Sequence, residues 1–462
     1  MDGLRHTRYG WWLEEAGRVE ATRPLERDTS ADVVIVGAGY LGLWTAWQLK
    51  ALEPGCDVVV LESGLAGHGP SGRNGGFVST LWDDLPILRE RVGDTRAVAV
   101  ARASERGVRG IGEWCDTEGV DAWYRAAPTL VVATSEAQLG ASVDAIAACE
   151  AVGGPEEVQG LTAAELRARC NVGFLGGALL RTSATVQPAR LALALRAKVI
   201  EAGVRLHERT PVRRLRRDGW VAATTHGRVR AGSAVLAVNS ATAGFPGFRL
   251  AHAVASSHIV LTEPVPEVLD ELGWTGGEPI ADGRSLLHYL RTTRDGRIAF
   301  GWGGGRMGFG GRRLGRLEVD RDAVRIAGDD LLRFFPQLRG RRITHAWGGP
   351  IDVSPTHLPI FGSRGAVHHG FGFTGNGVGP AYLGGEILAR LALDRRDELT
   401  RLALVDPEPK LMPPEPLRWA GGSLIRSALV RAGRAEDAGR RADPATRFLA
   451  GLPRRLRLHL PR

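Results

Sequence analysis

Lysine is nearly absent from this 462-residue chain: Lys50, Lys198 and Lys410 stand alone among 60 basic residues, and the rest are arginine. That bias reflects coding composition as much as selection for an anionic partner. Cysteine is scarce as well. Cys56, Cys115, Cys149 and Cys170 form no CxxC pair and no metal-ligand spacing, so reduced thiols are expected rather than a disulfide scaffold or a zinc module. No apolar run approaches the roughly 20 residues that span a bilayer. Residues 1–15 hold no apolar stretch of signal-peptide type. The expectation is a cytoplasmic protein. Also missing are an HExxH motif and a hydrolase serine elbow, and the 12 histidines are scattered without a metal pattern.

Glycine and hydrophobic residues are plentiful. The chain has 62 glycines, 25 prolines and 44% hydrophobic residues, with no collagen period and no low-complexity tract. It reads as a loop-rich globular protein of two or three structural units. The net charge of +9 is uneven. Residues 411–462 carry eleven arginines against Glu415, Glu436, Asp437 and Asp443, so most of the excess lies there. The nearly neutral remainder argues against nucleic-acid binding by the body of the protein.

The strongest local pattern lies at residues 31–62. A β-branched run at 31–36 suits a strand buried on both faces. Gly37, Gly39 and Gly42 follow, then Leu43, Ala46, Trp47 and Leu49 at helical spacing. Pro54 and Gly55 break the helix, and a second strand at 57–61 ends at Glu62. Gly37 suits a tight turn, Gly39 lets the backbone approach a pyrophosphate, and Gly42 allows close helix–strand packing. The helix N-terminus, at Tyr40 and Leu41, offers amides to the anion, and Glu62 can accept from ribose hydroxyls. A dinucleotide site is expected. A second glycine-rich loop follows: Ser71, Gly72, Arg73, Asn74, Gly75 and Gly76. It suits backbone wrapping around a large cofactor, whereas an NAD domain would usually continue through further βα units.

With these residues in place, the chain resembles the D-amino-acid oxidase family of FAD enzymes, and its loop at 71–76 resembles the gamma-glutamylputrescine oxidoreductase branch. The resemblance implies an α/β fold (α+β overall). A Rossmann-like FAD/NAD(P)-binding domain, discontinuous over 30–82, 185–243 and 343–395, would carry a second, mixed-sheet substrate domain from 83–184 and 244–342. A basic, partly helical tail would occupy 396–462. Further along, Pro188 opens an expected helix to about 202, and a strand follows at 204–207. Asp218 and Gly219 form a hairpin turn between 212–215 and 220–224. A buried strand at 234–238 then leads to Asn239. By resemblance, Val212 meets the adenine through its backbone and Asn239 joins the cofactor set; a plain core valine is an equal alternative for the first. Glycines at 370–379 precede a helix at 381–393. In the family, that helix end faces the flavin pyrimidine ring, which implicates Thr374, Gly375, Asn376, Gly377 and Val378. Many relatives carry Asp where Thr356 and His357 stand here, which puts any role of that acid in doubt. No cysteine follows Cys170 for a cysteinyl link. The loop position used for a histidyl link is Gly72, with His68 nearby, so FAD is expected to be noncovalent.

On the substrate side, strands at 285–291 and 297–301 flank the turn Asp295-Gly296. Alternation places Tyr289 and Arg291 on one face, and an arginine fork matches a carboxylate at two points. Tyr289, Arg291, Trp347 and Asn376 are the catalytic candidates, with Trp302, Arg306 and Met307 also near the site. The resemblance implies oxidation of a C–N bond in a small amine or amino acid by hydride transfer to flavin N5. The imine would then be hydrolysed, and O2 or another acceptor would reoxidise FAD. Two readings stay open beside it: an FAD-dependent dehydrogenase of a hydroxy acid, and a flavoprotein electron carrier without small-molecule turnover. After Pro413, Pro414 and Pro416, residues 417–432 read as a helix that continues past Glu436, Asp437, Arg440 and Arg441. A basic amphipathic helix can sit on anionic lipid; a helix packed on the body with a solvated arginine face is the favoured reading.

Overall fold

The computed structural model describes residues 4–7, 9–216, 221–224, 226–313, 315–408 and 410–456. The expected turn at Asp218 and Gly219 lies outside them.

Two sheets organise the chain. In the first, Arg205–His207, Val58–Leu61, Thr29–Val36 and Arg228–Leu236 run parallel in that order, and Val367–Phe371 pairs parallel with the end of the last. Val33, Val34, Ile35 and Val36 are all buried, as a strand covered on both faces requires. The helices Tyr40–Leu52, Pro188–Glu201 and Val378–Ala392 pack over it. A short hairpin, Arg214–Leu215 with Val221–Ala223, joins Arg228–Leu236.

The second sheet has nine strands and is mixed. Its centre is Ile343–Val353, Ala253–Thr262, Ile298–Trp302 and His288–Thr292, side by side. The amphipathic helix Arg321–Phe334 covers one face through Val324, Ala327 and Leu331. The other face looks onto a large cavity.

Two segments sit differently from the sequence expectation. The sequence puts Ile343–Val353 with the cofactor half, yet it pairs antiparallel with Ala253–Thr262 from Ala253↔Val353 to Thr262↔Ile343. The cofactor sheet resumes only at Ile360–Arg364. The sequence puts residues 94–117 with the substrate half, but helix Asp94–Thr117 packs on Val378–Ala392, where Gly107 and Gly110 make room for Tyr382. The tail forms the helix Leu417–Asp437, folded onto the body, with the short helices Pro444–Ala450 and Leu452–Arg455 after it. Asp437 ends the first, so Arg440 and Arg441 do not extend it. Among the described residues, the four cysteines are free and buried, and no helix is long and apolar enough to cross a membrane.

Candidate active site

One cavity of about 1310 Å³ runs from the carboxyl ends of the parallel strands to the open face of the second sheet. At its first end, Thr29–Val36 turns through Gly37 into helix Tyr40–Leu52. Gly37 has φ +104, and a Cβ there would lie 2.4 Å from the Ala237 carbonyl oxygen. A Cβ on Gly42 would lie 1.9 Å from the Gly37 oxygen. Only glycine permits this turn and this packing. A Cβ on Gly39 would touch Ser71 alone, so that side remains open for a ligand backbone. Ser71 Oγ accepts from the Tyr40 amide at 2.8 Å. Glu62 accepts from the Ala38 and Gly64 amides at 2.9 and 2.8 Å, which fixes its carboxylate at the rim.

At the far end of the groove, helix Val378–Ala392 starts in the cavity wall with no side-chain cap. Its uncapped amides and positive end suit an electron-rich ring edge. Beside it, Asp352 is buried and holds three groups in place. Its carboxylate accepts from the Gly372 amide at 2.5 Å and from Asn239 Nδ2 at 2.9 Å, and its carbonyl accepts from the Thr374 amide at 2.9 Å. Desolvation pushes the Asp352 carboxyl up to about 7 against these bonds. Asn239 and Thr374 both carry positive φ, +50 and +51. For a β-branched threonine this is strained, and such strain clusters at ligand sites. Asn239 Oδ1 lies buried in this wall with no partner among the described residues. It is an acceptor waiting for an N–H.

These features fit FAD: a glycine turn for the diphosphate, an acid at the strand end for ribose, and an unspent acceptor and bare helix end for the flavin ring. Of the expected cofactor residues, Gly37, Gly39, Tyr40, Leu41, Glu62, Ser71, Arg73, Asn74, Gly75, Val212, Asn239 and all five of 374–378 line the cavity. Gly42, Gly72 and Gly76 do not; they allow close packing behind it. Asn376 also donates to the Thr80 carbonyl at 3.2 Å.

The substrate candidates divide. Tyr289 lines the cavity, and its hydroxyl meets Ser257 Oγ at 2.7 Å. Trp347 lines it too, with Nε1 donating to the Arg73 carbonyl at 2.8 Å, and so ties the glycine loop to the sheet. Arg291 does not reach the cavity. Its guanidinium donates to the carbonyls of Val186, Gly76 and Thr292 and lies 5.5 Å over the Trp12 ring. Burial pushes its pKa down to about 9. Alternation along the strand gave the correct face but not the depth: two residues beyond Tyr289, the face is roofed by residues 76 and 186. Trp302 points to the opposite core, beneath helix Arg321–Phe334. Arg306 is engaged by Asp320 and Asp322. Met307 does line the cavity.

Four contributors went unread in the sequence. Asp352, a lone acid in an apolar strand, carried a usable signal. Ser257 and Ile351 gave none beyond strand alternation. Asp83 lines the cavity and is open to it. His357 has φ +65 and meets Asp84 at 3.3 Å.

Comparison with known proteins agrees with this geometry. Residues 32–391 match the model of the DAO family, described as FAD dependent oxidoreductase. The chain is similar to gamma-glutamylputrescine oxidoreductase of Escherichia coli, 28% identical over 391 residues, covering 82% of this chain and 88% of that one. It is similar to sarcosine oxidase subunit beta of Rhodobacter capsulatus, 23% identical over 343 residues, covering 71% and 76%. The fold is similar to the crystal structure of glycine oxidase from Geobacillus kaustophilus, with TM-score 0.65 and 20% identity over 80% of this chain and 96% of that one.

Proposed function

This chain belongs to the DAO family of FAD-dependent oxidoreductases, and from that premise we propose that it oxidises the C–N bond of a small amine or amino acid. The observation that carries the reading is the continuity of the cavity, from the dinucleotide groove at Glu62 to the Tyr289–Ser257 pair and Asp83. The names of the relatives point the same way.

FAD, when bound, supplies the two-electron acceptor for the oxidation. Gly37, Gly39, Ser71 and Glu62 would hold its adenosine diphosphate end, and Asn239, Thr374 and Asn376 its ring end. The protein's part is placement and proton handling. An amine must give up its ammonium proton before its C–N bond can be oxidised. Asp83 lines the cavity, and its carboxylate can take that proton. Tyr289, held by Ser257, orients the substrate against the opposite wall. The apolar lining further favours the neutral amine by desolvation.

The flavin is held without a covalent bond. None of the cysteines lines the cavity, position 72 is glycine, and His68 packs against Tyr9 at 5.4 Å outside it. Acid precipitation of the holoenzyme is expected to release all of the flavin into the supernatant.

The main test is anaerobic mixing of the holoenzyme with a panel of amines, amino acids and hydroxy acids, followed at the flavin band near about 450 nm. Bleaching by amines or amino acids supports the proposal, and Tyr289→Phe should then slow it by about tenfold. Bleaching by hydroxy acids alone overturns it in favour of C–OH oxidation. No bleaching by any member would leave an electron carrier.

A further inference from the structure

The family match stops at residue 391, yet the chain beyond it returns to the cavity. Helix Leu417–Asp437 places Leu417, Arg418, Gly421, Gly422, Ile425, Arg426 and Leu429 in the wall. Their spacing follows one helical face. Pro453 and Leu456 of the following segment complete it.

The helix is fixed there by polar contacts along its length. Arg418 donates to the carbonyls of Arg249 and His252 at 2.7 and 3.1 Å. Arg426 Nε donates to those of Gly304 and Gly305 at 2.8 and 2.5 Å. Asp437 closes the far end between Arg284 and Arg333. Trp419 stacks edge-on against Phe309 at 5.9 Å. The fit against the body is tight: a Cβ on Gly422 would lie 2.8 Å from Met307 Cε.

The inward face presents Leu417, Ile425 and Leu429 with Arg418 and Arg426 beside them, and opposite it stand Ala253, Ala255 and Met307. Arg418 is committed to backbone and to Glu415, and Arg426, held through Nε by the Gly304 and Gly305 carbonyls, lies 5.9 Å from the Trp302 ring. With Arg418 paired and Arg426 Nε held by backbone, the groups this wall offers to a substrate are mainly aliphatic. We propose that the tail helix is the specificity wall of the active site, and that it seats an uncharged, apolar substituent of the amine. This rests on the amine reading above, deepens it, and names Ile425 and Leu429 as specificity-determining residues.

Two ligand series test it on the holoenzyme. The first is the primary n-alkylamines from ethyl to hexyl, read by anaerobic flavin reduction. The second is the matching amines with two methyl groups on the carbon beside nitrogen. These have no hydrogen to lose, and their binding is read as a perturbation of the oxidised flavin spectrum. In both series Kd should fall about fourfold per added methylene until the wall is filled. Ile425→Glu should raise Kd for the hexyl member at least tenfold more than for the ethyl member, with flavin content retained. Should that variant fail to fold, Leu429→Ala should raise the hexyl Kd about threefold relative to the ethyl one. Chain-length dependence in the second series without flavin reduction in the first would sink the amine reading and leave the apolar wall standing. A Kd indifferent to chain length in the wild type, or variants that weaken both members equally, would overturn the wall.

Discussion

The two ends of the cavity are built in opposite ways. From Gly37 to Glu62 the cofactor groove comes from one continuous stretch: strand, turn, helix and strand in immediate succession. The proposed substrate end draws Ser257, Tyr289, Met307, Ile351 and Ile425 from separate strands, a loop and the tail helix. In the groove, backbone amides and glycines would do most of the binding, so residue type and local spacing announce it. At the other end side chains would do it, and each one's exposure depends on what long-range packing lays over it. A local site can be read residue by residue; an assembled site can be read only as a face. This predicts that mutations in the groove act on cofactor affinity, while mutations at the assembled end split between substrate binding and stability according to depth.

The largest effect that would test this contrast is at Gly39. Its φ is not in the left-handed region, and a Cβ would meet only Ser71 Oγ, at 2.9 Å. Gly39→Val should therefore fold, with normal far-UV circular dichroism, yet lose FAD affinity by about a hundredfold or more as the side chain fills the diphosphate path. A normally yellow Gly39→Val protein would break the local reading of the groove.

The same contrast explains what the sequence made legible. The strands at 29–36, 58–61 and 205–207 and the helices opening at Tyr40, Pro188 and Val378 follow from contiguous apolar runs, prolines and glycines, and each falls within a few residues of expectation. Asp352 carries a signal of its own in the sequence. An acid flanked by Ile351 and Val353 must either be solvated on an edge or be held by donors, and here Gly372 and Asn239 hold it. Ile343–Val353 could not be assigned from its own residues, because its partner strand begins 90 positions earlier. Arg291 needed knowledge of the roof formed by residues 76 and 186. The tail's place in the wall depends on anchors at 249, 252, 304 and 305, which no local pattern announces.

Arg291 supplies the next test. If depth decides its role, Arg291→Ala should cost about 2–4 kcal/mol by removing a buried cation's hydrogen bonds and leaving carbonyls unpaired. Thermal unfolding would show the loss, while KM for the best amine should change less than twofold in the surviving holoenzyme. A raised KM with an unchanged Tm would return Arg291 to the substrate site and blur the distinction between face and depth.

The smallest effect comes from the seam between the two ends. Asp352 belongs to a strand of the substrate sheet, yet its carboxylate fixes Gly372 and Asn239 on the cofactor side. Burial raises its pKa from 3.8 to about 7. Between those values the folded protein binds more protons than the unfolded chain. Its contribution to stability therefore falls as pH rises through that window, and the full penalty stands above about 7. Asp352→Asn removes the titration, at a constant cost of one acceptor, since both carboxylate oxygens now accept from N–H groups. The apoprotein's Tm should be about 1–2 °C below wild type near pH 5 and should equal or exceed it near pH 8. Scanning fluorimetry of both proteins across that range would show the two curves converging or crossing. Parallel curves would mean that Asp352 is ionised throughout, and that the groups of the cofactor wall stabilise its charge more than burial opposes it.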